Sequence, residues 1–133
     1  MTYTFRLKTG SDLKLGIEQF FKDNNLNSAA IVTCVGSLSA VNIRMAGAEP
    51  NKQDIRNIKG DYEIVSLVGT VSKDGSHIHV SVSDKGGRVL GGHLKEGSTV
   101  HTTAEIVILE SDKETYIREL DENTGFTELV VQK

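Results

Sequence analysis

A chain of 133 residues, 38% hydrophobic and 25% charged, has enough apolar side chains for one real core, so residues 1–133 are expected to form a single domain. Its formal net charge of −3 excludes nucleic-acid binding through an overall basic surface and leaves only a local patch or a partner for that role. No apolar run approaches the length of about 18 residues that spans a bilayer, and no basic-then-apolar leader opens the chain. A cytoplasmic location is the expectation. The single Cys34 cannot form an internal disulfide and sits in the apolar run Ala29–Val35, which reads as a buried, inert thiol in a reducing compartment.

From Met1 to Lys8, Tyr3, Phe5 and Leu7 alternate with Thr4, Arg6 and Lys8, the pattern of a strand. Thr9 to Asp12 supplies a turn and an N-cap. Leu13, Ile17, Phe20 and Phe21 then follow at helical spacing and predict a helix from Leu13 to about Asn24. Gly16 inside it costs about 1 kcal/mol relative to alanine, which close approach to a sheet would explain. Asn24, Asn25 and Asn27 mark the exit, because asparagine tolerates the left-handed backbone that ends a helix.

Ala29 to Val35 predicts a central strand covered on both faces. Gly36 to Ser39 reads as a turn, Val41 to Ala46 as a returning strand, and the polar stretch Gly47 to Lys59 as a surface connection. Tyr62 to Val71 is the longest strand signal, with Gly69 marking a bulge or a close backbone neighbour. Lys73 to Gly75 turns the chain into the segment richest in chemistry.

Gly75 to Leu94 holds three of the four histidines and five of the thirteen glycines. His77, His79, Ser81 and Ser83 alternate with Ile78, Val80 and Val82, so both histidines share the face away from the core, roughly 7 Å apart. Where His93 falls depends on the hairpin loop. A three-residue loop of Lys85, Gly86 and Gly87 pairs Asp84 with Arg88 and sets His79 opposite His93; a two-residue loop would break the cluster. The first register is favoured, since glycine at the left-handed position of a three-residue loop is common. Three imidazoles on one patch point to a divalent transition metal, zinc first, on His77, His79 and His93. His101 is either a fourth ligand or, more simply, a surface histidine.

Glu96 to Ser98 forms another turn, Val100 to Leu109 a buried strand, and Tyr116 to Leu120 and Glu128 to Val131 short edge strands. The expected class is α+β: a mostly antiparallel sheet with one main helix. Gly86-Gly87 and Gly91-Gly92 lack the helix start and Lys-Ser or Lys-Thr of a phosphate loop, so turning and close packing explain them better. Glu63 and Glu105 lie within apolar strands, either as buried carboxylates or as groups facing solvent or a subunit partner. Ser37 and Ser39 lack the glycine-flanked elbow of a serine hydrolase.

The segments Gly60 to Gly69, His77-Ile78-His79, Gly86 to Leu94, Gly97 to Val100 and Ala104 to Ile108 together resemble the plants and prokaryotes conserved domain, over nearly the whole chain. In plants that domain follows AT-hook DNA-binding motifs in nuclear-localised proteins; in bacteria and archaea it stands alone. The resemblance implies a sandwich-like α+β domain, a homotrimer and a histidine-lined metal site. The plant signature Gly-Arg-Phe-Glu-Ile-Leu matches at Gly60, Glu63 and Ile64, is conservatively changed at Tyr62 and Val65, and departs at Asp61, where plants carry arginine. In plant members this segment makes partner contacts, so Gly60, Tyr62, Glu63 and Ile64 are the implied counterparts. No Arg-Gly-Arg core of an AT-hook occurs, so direct specific DNA binding is not expected.

Two function classes follow. One is a trimeric binding or regulatory module, acting with regulatory protein partners or with DNA-bound ones. The other is a metal-dependent hydrolase or lyase using an open position on a three-histidine metal. The first is better supported, because no general base joins the histidines in sequence.

Overall fold

The N-terminal alternation folds as expected. In a computed structural model covering residues 1–133, Thr2–Lys8 is β1 and pairs antiparallel with β6 (Thr99–Leu109). Helix α1 (Leu13–Asp23) starts at Asp12, whose carboxylate accepts from Leu15 N at 2.9 Å and from Gly97 N at 2.6 Å. The second bond ties the helix start to the turn before β6. The helix buries Leu13, Ile17 and Phe21, and its exit passes through Asn25 at φ 53°. A Cβ on Gly16 would lie 2.7 Å from Leu7 Cδ1, so this glycine lets the helix settle onto β1. Asp12→Ala should cost about 1–2 kcal/mol. Urea denaturation would show this as a lower midpoint at unchanged slope; an unshifted midpoint would refute the capping role.

Ala29–Arg44 is one continuous strand, β2, where the sequence predicts two strands and a turn. The signal at Gly36 to Ser39 has another cause. A Cβ on Gly36 would meet Thr103 O at 2.1 Å, so the glycine serves close backbone approach. Opposite it, β6 bulges: Gly36 pairs with Ala104 but Ser37 with His101, and Thr102 takes φ 68°. Arg6 braces the bulge through Thr103 Oγ1 at 2.9 Å and Thr102 O at 3.2 Å. A second correction concerns coverage. Ile31 is buried, but Val32 and Val35 are 57% and 60% exposed, so in the single chain this run is covered on one face. A continuous apolar run cannot distinguish a doubly buried strand from one with an apolar outer face.

β3 (Ile55–Ser72) likewise begins earlier than its apolar signal: Ile55 to Lys59 pairs with Arg44 to Ala40. Most of its side chains are exposed and several are polar, which reads as a loop, although Ile58 packs against the core. β4 (Gly75–Ser83) and β5 (Val89–Leu94) complete a six-stranded antiparallel sheet in the order β1-β6-β2-β3-β4-β5. Ile43 and Arg44 of β2 also pair with Leu94 and His93 of β5. β2 thus meets β6 along most of its length and β5 at its end, closing the curled sheet on itself. One core cluster joins the helix to Leu38, Val41 and Ile43 of β2, Ile78, Val80 and Val82 of β4, and Ile106 and Ile108 of β6. β7 (Thr115–Leu120) and β8 (Thr127–Gln132) pair with each other as a separate hairpin rather than edging the main sheet. Tyr116 N donating to Asn27 O, and Arg118 N to Asp74 Oδ2, both at 2.9 Å, anchor it. No helix is long and apolar enough to cross a membrane.

Candidate metal centre

β4 buries Ile78, Val80 and Val82 and turns His77 and His79 to the other face. The loop after it has the three-residue form. Asp84 N donates to Arg88 O at 2.9 Å, Gly87 takes φ +80°, and Asp84 Oδ1 accepts from Gly86 N and Arg88 N at 2.9 Å each. From this closure the ladder runs back to place His79 opposite His93. The ring centroids lie 5.0 Å apart for His77–His79 and His77–His93, and 5.8 Å apart for His79–His93. One nitrogen from each ring lies within 4.8 Å of the other two.

Glycines let the strands beneath the cluster approach. A Cβ on Gly69 would sit 2.2 Å from His77 O, one on Gly91 2.4 Å from Val80 O, and one on Gly92 2.6 Å from Arg44 O. The pair Gly91-Gly92 therefore wedges β5 between β4 and the end of β2, which supports the packing reading over a phosphate cradle. This wedge also brings Arg44 beside His93, with Nη2 3.4 Å from Nδ1.

Burial, with the Arg44 guanidinium next in importance, pushes the His93 imidazole down to about 3; burial and then Arg118 also lower His77. Both rings are therefore neutral near pH 7, the state in which an imidazole nitrogen can bind a metal. In the metal-free protein, the unfolded chain takes up the His93 proton near the ordinary value of 6.5, before the folded chain does. His93's contribution to stability is thus intact above pH 6.5 and is lost as pH falls from there toward 3. Denaturation midpoints should fall over that window, and His93→Gln should flatten the fall. An equally steep fall in the variant would assign the acid sensitivity to another group.

A cavity of about 320 Å³ adjoins the histidines, lined by Arg44, His77, His93, Arg118, Phe126 and Glu128 among others. The β7–β8 hairpin and its loop supply the last three. Sequence reasoning missed both arginines. Arg44 becomes visible only through the β2–β5 pairing, and Arg118 lies on a strand with no local sign of what it covers. Other sequence candidates stand apart. His101 is exposed on β6, paired with Ser37, outside the cluster. Glu63 and Glu105 are exposed; Ser37 Oγ donates to Glu63 at 3.3 Å, and Thr103 Oγ1 to Glu105 at 3.4 Å. Tyr62 and Ile64 belong to the core, while Gly60 and Glu63 face outward. Cys34 is half-buried, and burial, helped by Glu105, pushes its thiol up to about 12, consistent with inertness.

The family model of the Plants and Prokaryotes Conserved (PCC) domain matches residues 1–112. A hypothetical protein from Salmonella cholerae-suis is 37% identical with a TM-score of 0.92, over 99% of this chain and 93% of that one. A metal-containing protein from Archaeoglobus fulgidus is 30% identical with a TM-score of 0.85, over 98% and 93%. The bifunctional protein GlmU of a Synechococcus strain is 37% identical over 131 residues, 98% of this chain but 20% of that protein. The chain thus spans about a fifth of the length of the curated relatives it matches. Likeness of fold alone, at 21% identity and a TM-score of 0.86, extends to a conjectured DNA-binding protein of Ralstonia eutropha, over 98% of this chain and 91% of that one.

Proposed function

Because this chain belongs to the plants and prokaryotes conserved domain family, we propose that it is a cytoplasmic, homotrimeric binding or regulatory module built around one divalent metal ion. His77, His79 and His93 hold the ion, and zinc is the metal that suits them best. The observation that carries this reading is the convergence of three imidazole nitrogens within 4.8 Å of one another. Three imidazoles without a thiolate or competing ammonium are a fitting donor set, and side-chain adjustment of roughly an ångström would bring them to ordinary zinc–nitrogen distances. A zinc bound by three histidines keeps a further position for water or a ligand. The Archaeoglobus relative, a metal-containing protein, supports the assignment. Metal analysis of protein prepared without a histidine tag should find one zinc per chain; no bound metal after zinc loading would refute it.

Trimer formation is supported by the apolar outer face, where Val32, Val35, Val65 and Val68 are each more than half exposed. Light scattering should return about three times 14.5 kDa. A mass near 14.5 kDa at micromolar concentrations would reject the trimer. Similarity to a fifth of a longer bifunctional protein fits a module that serves larger assemblies. The outward groups near Gly60 and Glu63 are the surface for regulatory protein partners. Duplex DNA alone is not the partner: with a net charge of −3 and no AT-hook, titration of genomic fragments at physiological salt should show no sequence-dependent affinity. A nanomolar complex would overturn that. The second reading, a metal-dependent hydrolase or lyase, draws support from the cavity beside the histidines.

A further inference from the structure

The cavity beside the histidine cluster is lined by two arginines, Arg44 and Arg118, and by two carboxylates, Asp74 and Glu128. Arg44 enters it from the end of β2 and Arg118 from β7. Neither guanidinium has a carboxylate within ion-pair distance; the chain's ion pairs are Lys14–Glu18, Arg56–Asp54 and Lys85–Asp61. Both arginines are nonetheless half-buried and held in place. Arg118 Nη2 donates to Thr70 Oγ1 at 3.0 Å, and the Arg44 guanidinium lies 5.2 Å from the centre of the Phe126 ring. Half-buried cations without a direct ion-pair partner are costly, and planar guanidinium forks suit carboxylate and phosphate geometry.

We propose that this cavity binds a small organic oxyanion, its carboxylate or phosphate group held by Arg44 and Arg118 beside the three histidines. The proposal names the ligand class of the metal site and rests on that reading for the ligand's position next to the metal. At about 320 Å³ the space lies at the small end of ligand pockets, enough for a metabolite-sized molecule but not a polymer. Glu128 and Asp74, the latter accepting from Arg118 N at 2.9 Å, line the same cavity and act against the anion. Arg118, Phe126 and Glu128 all lie beyond residue 112, where the family match ends. The hairpin beyond the matched segment thus supplies one of the two arginines, and the matched segment supplies the other, Arg44.

Calorimetric titration of zinc-loaded and metal-stripped protein with pyruvate and with inorganic phosphate tests this and separates the two oxyanion types. At least one should bind the zinc-loaded protein. Arg118→Gln should weaken it at least tenfold with zinc content unchanged, and Glu128→Gln should strengthen it severalfold, a gain that misfolding cannot mimic. If neither anion binds, or if both variants retain wild-type affinity, the proposal fails. Zinc content, measured separately, tells the two failures apart. Bound zinc without oxyanion binding sinks this proposal alone; Arg118-dependent binding to a protein that takes up no zinc sinks the metal reading and leaves the oxyanion pocket standing.

Discussion

His79→Ala protein should take up no stoichiometric zinc and gain no stability from it, whereas His101→Ala should keep both properties. His79 lies on the open face of β4, with its neighbours Ile78 and Val80 providing the core contacts, so its removal takes away a proposed ligand without opening a cavity. Two imidazoles then remain where structural and catalytic zinc sites use at least three protein ligands. In the wild type, zinc at about 100 times its dissociation constant should stabilise the fold by roughly 2.7 kcal/mol, and the variant should lose all of it. Acid should release the metal from the wild type. Because burial and the arginines depress His77 and His93, proton competition sets in at lower pH than for a free imidazole. Thermal melts with and without zinc, paired with metal analysis, decide the matter. Full metal content in His79→Ala would reduce the cluster to an ordinary polar sheet surface.

Gly69→Ala should cost about 3 kcal/mol or more, a loss far beyond the propensity change itself. The added Cβ would stand 2.2 Å from His77 O and 2.8 Å from Ile78 Cα, both backbone atoms that no rotamer change can move aside. Relief requires β3 and β4 to separate, and β4 carries two of the three candidate ligands, so zinc affinity should fall along with stability. Gly86→Ala is the control. Its Cβ would meet only Asp84 Oδ1, at 3.4 Å, and its cost should stay within about 1 kcal/mol. Urea denaturation of both variants compares the two directly. Equal, small losses would mean that the sheet is looser at Gly69 than its backbone contacts imply.

The elements legible in the sequence are those whose cause is local. Alternation placed β1 and β4, helical spacing and an N-cap placed α1, and loop length with one left-handed glycine set the β4–β5 register. Because His77, His79 and His93 all belong to that hairpin, the clustering of the three histidines was legible too. Gly16 and Gly69 were readable as close-approach positions, though not what they approach. Tertiary structure alone decided the rest. β2 continues as a strand through Gly36 to Ser39, with a register shift between Leu38 and Ala40, because β3 and β6 pair with it there, a pairing between residues far apart in the chain. Val32 and Val35 stand exposed on the outer face of the sheet, which an apolar run does not record. The cavity's cations come from the ends of remote strands, Arg44 through closure of β2 on β5 and Arg118 through docking of the β7–β8 hairpin. Periodicity and turn chemistry act over a few residues, so the sequence by itself determined the three histidines; only long-range pairing could decide which charges would face them.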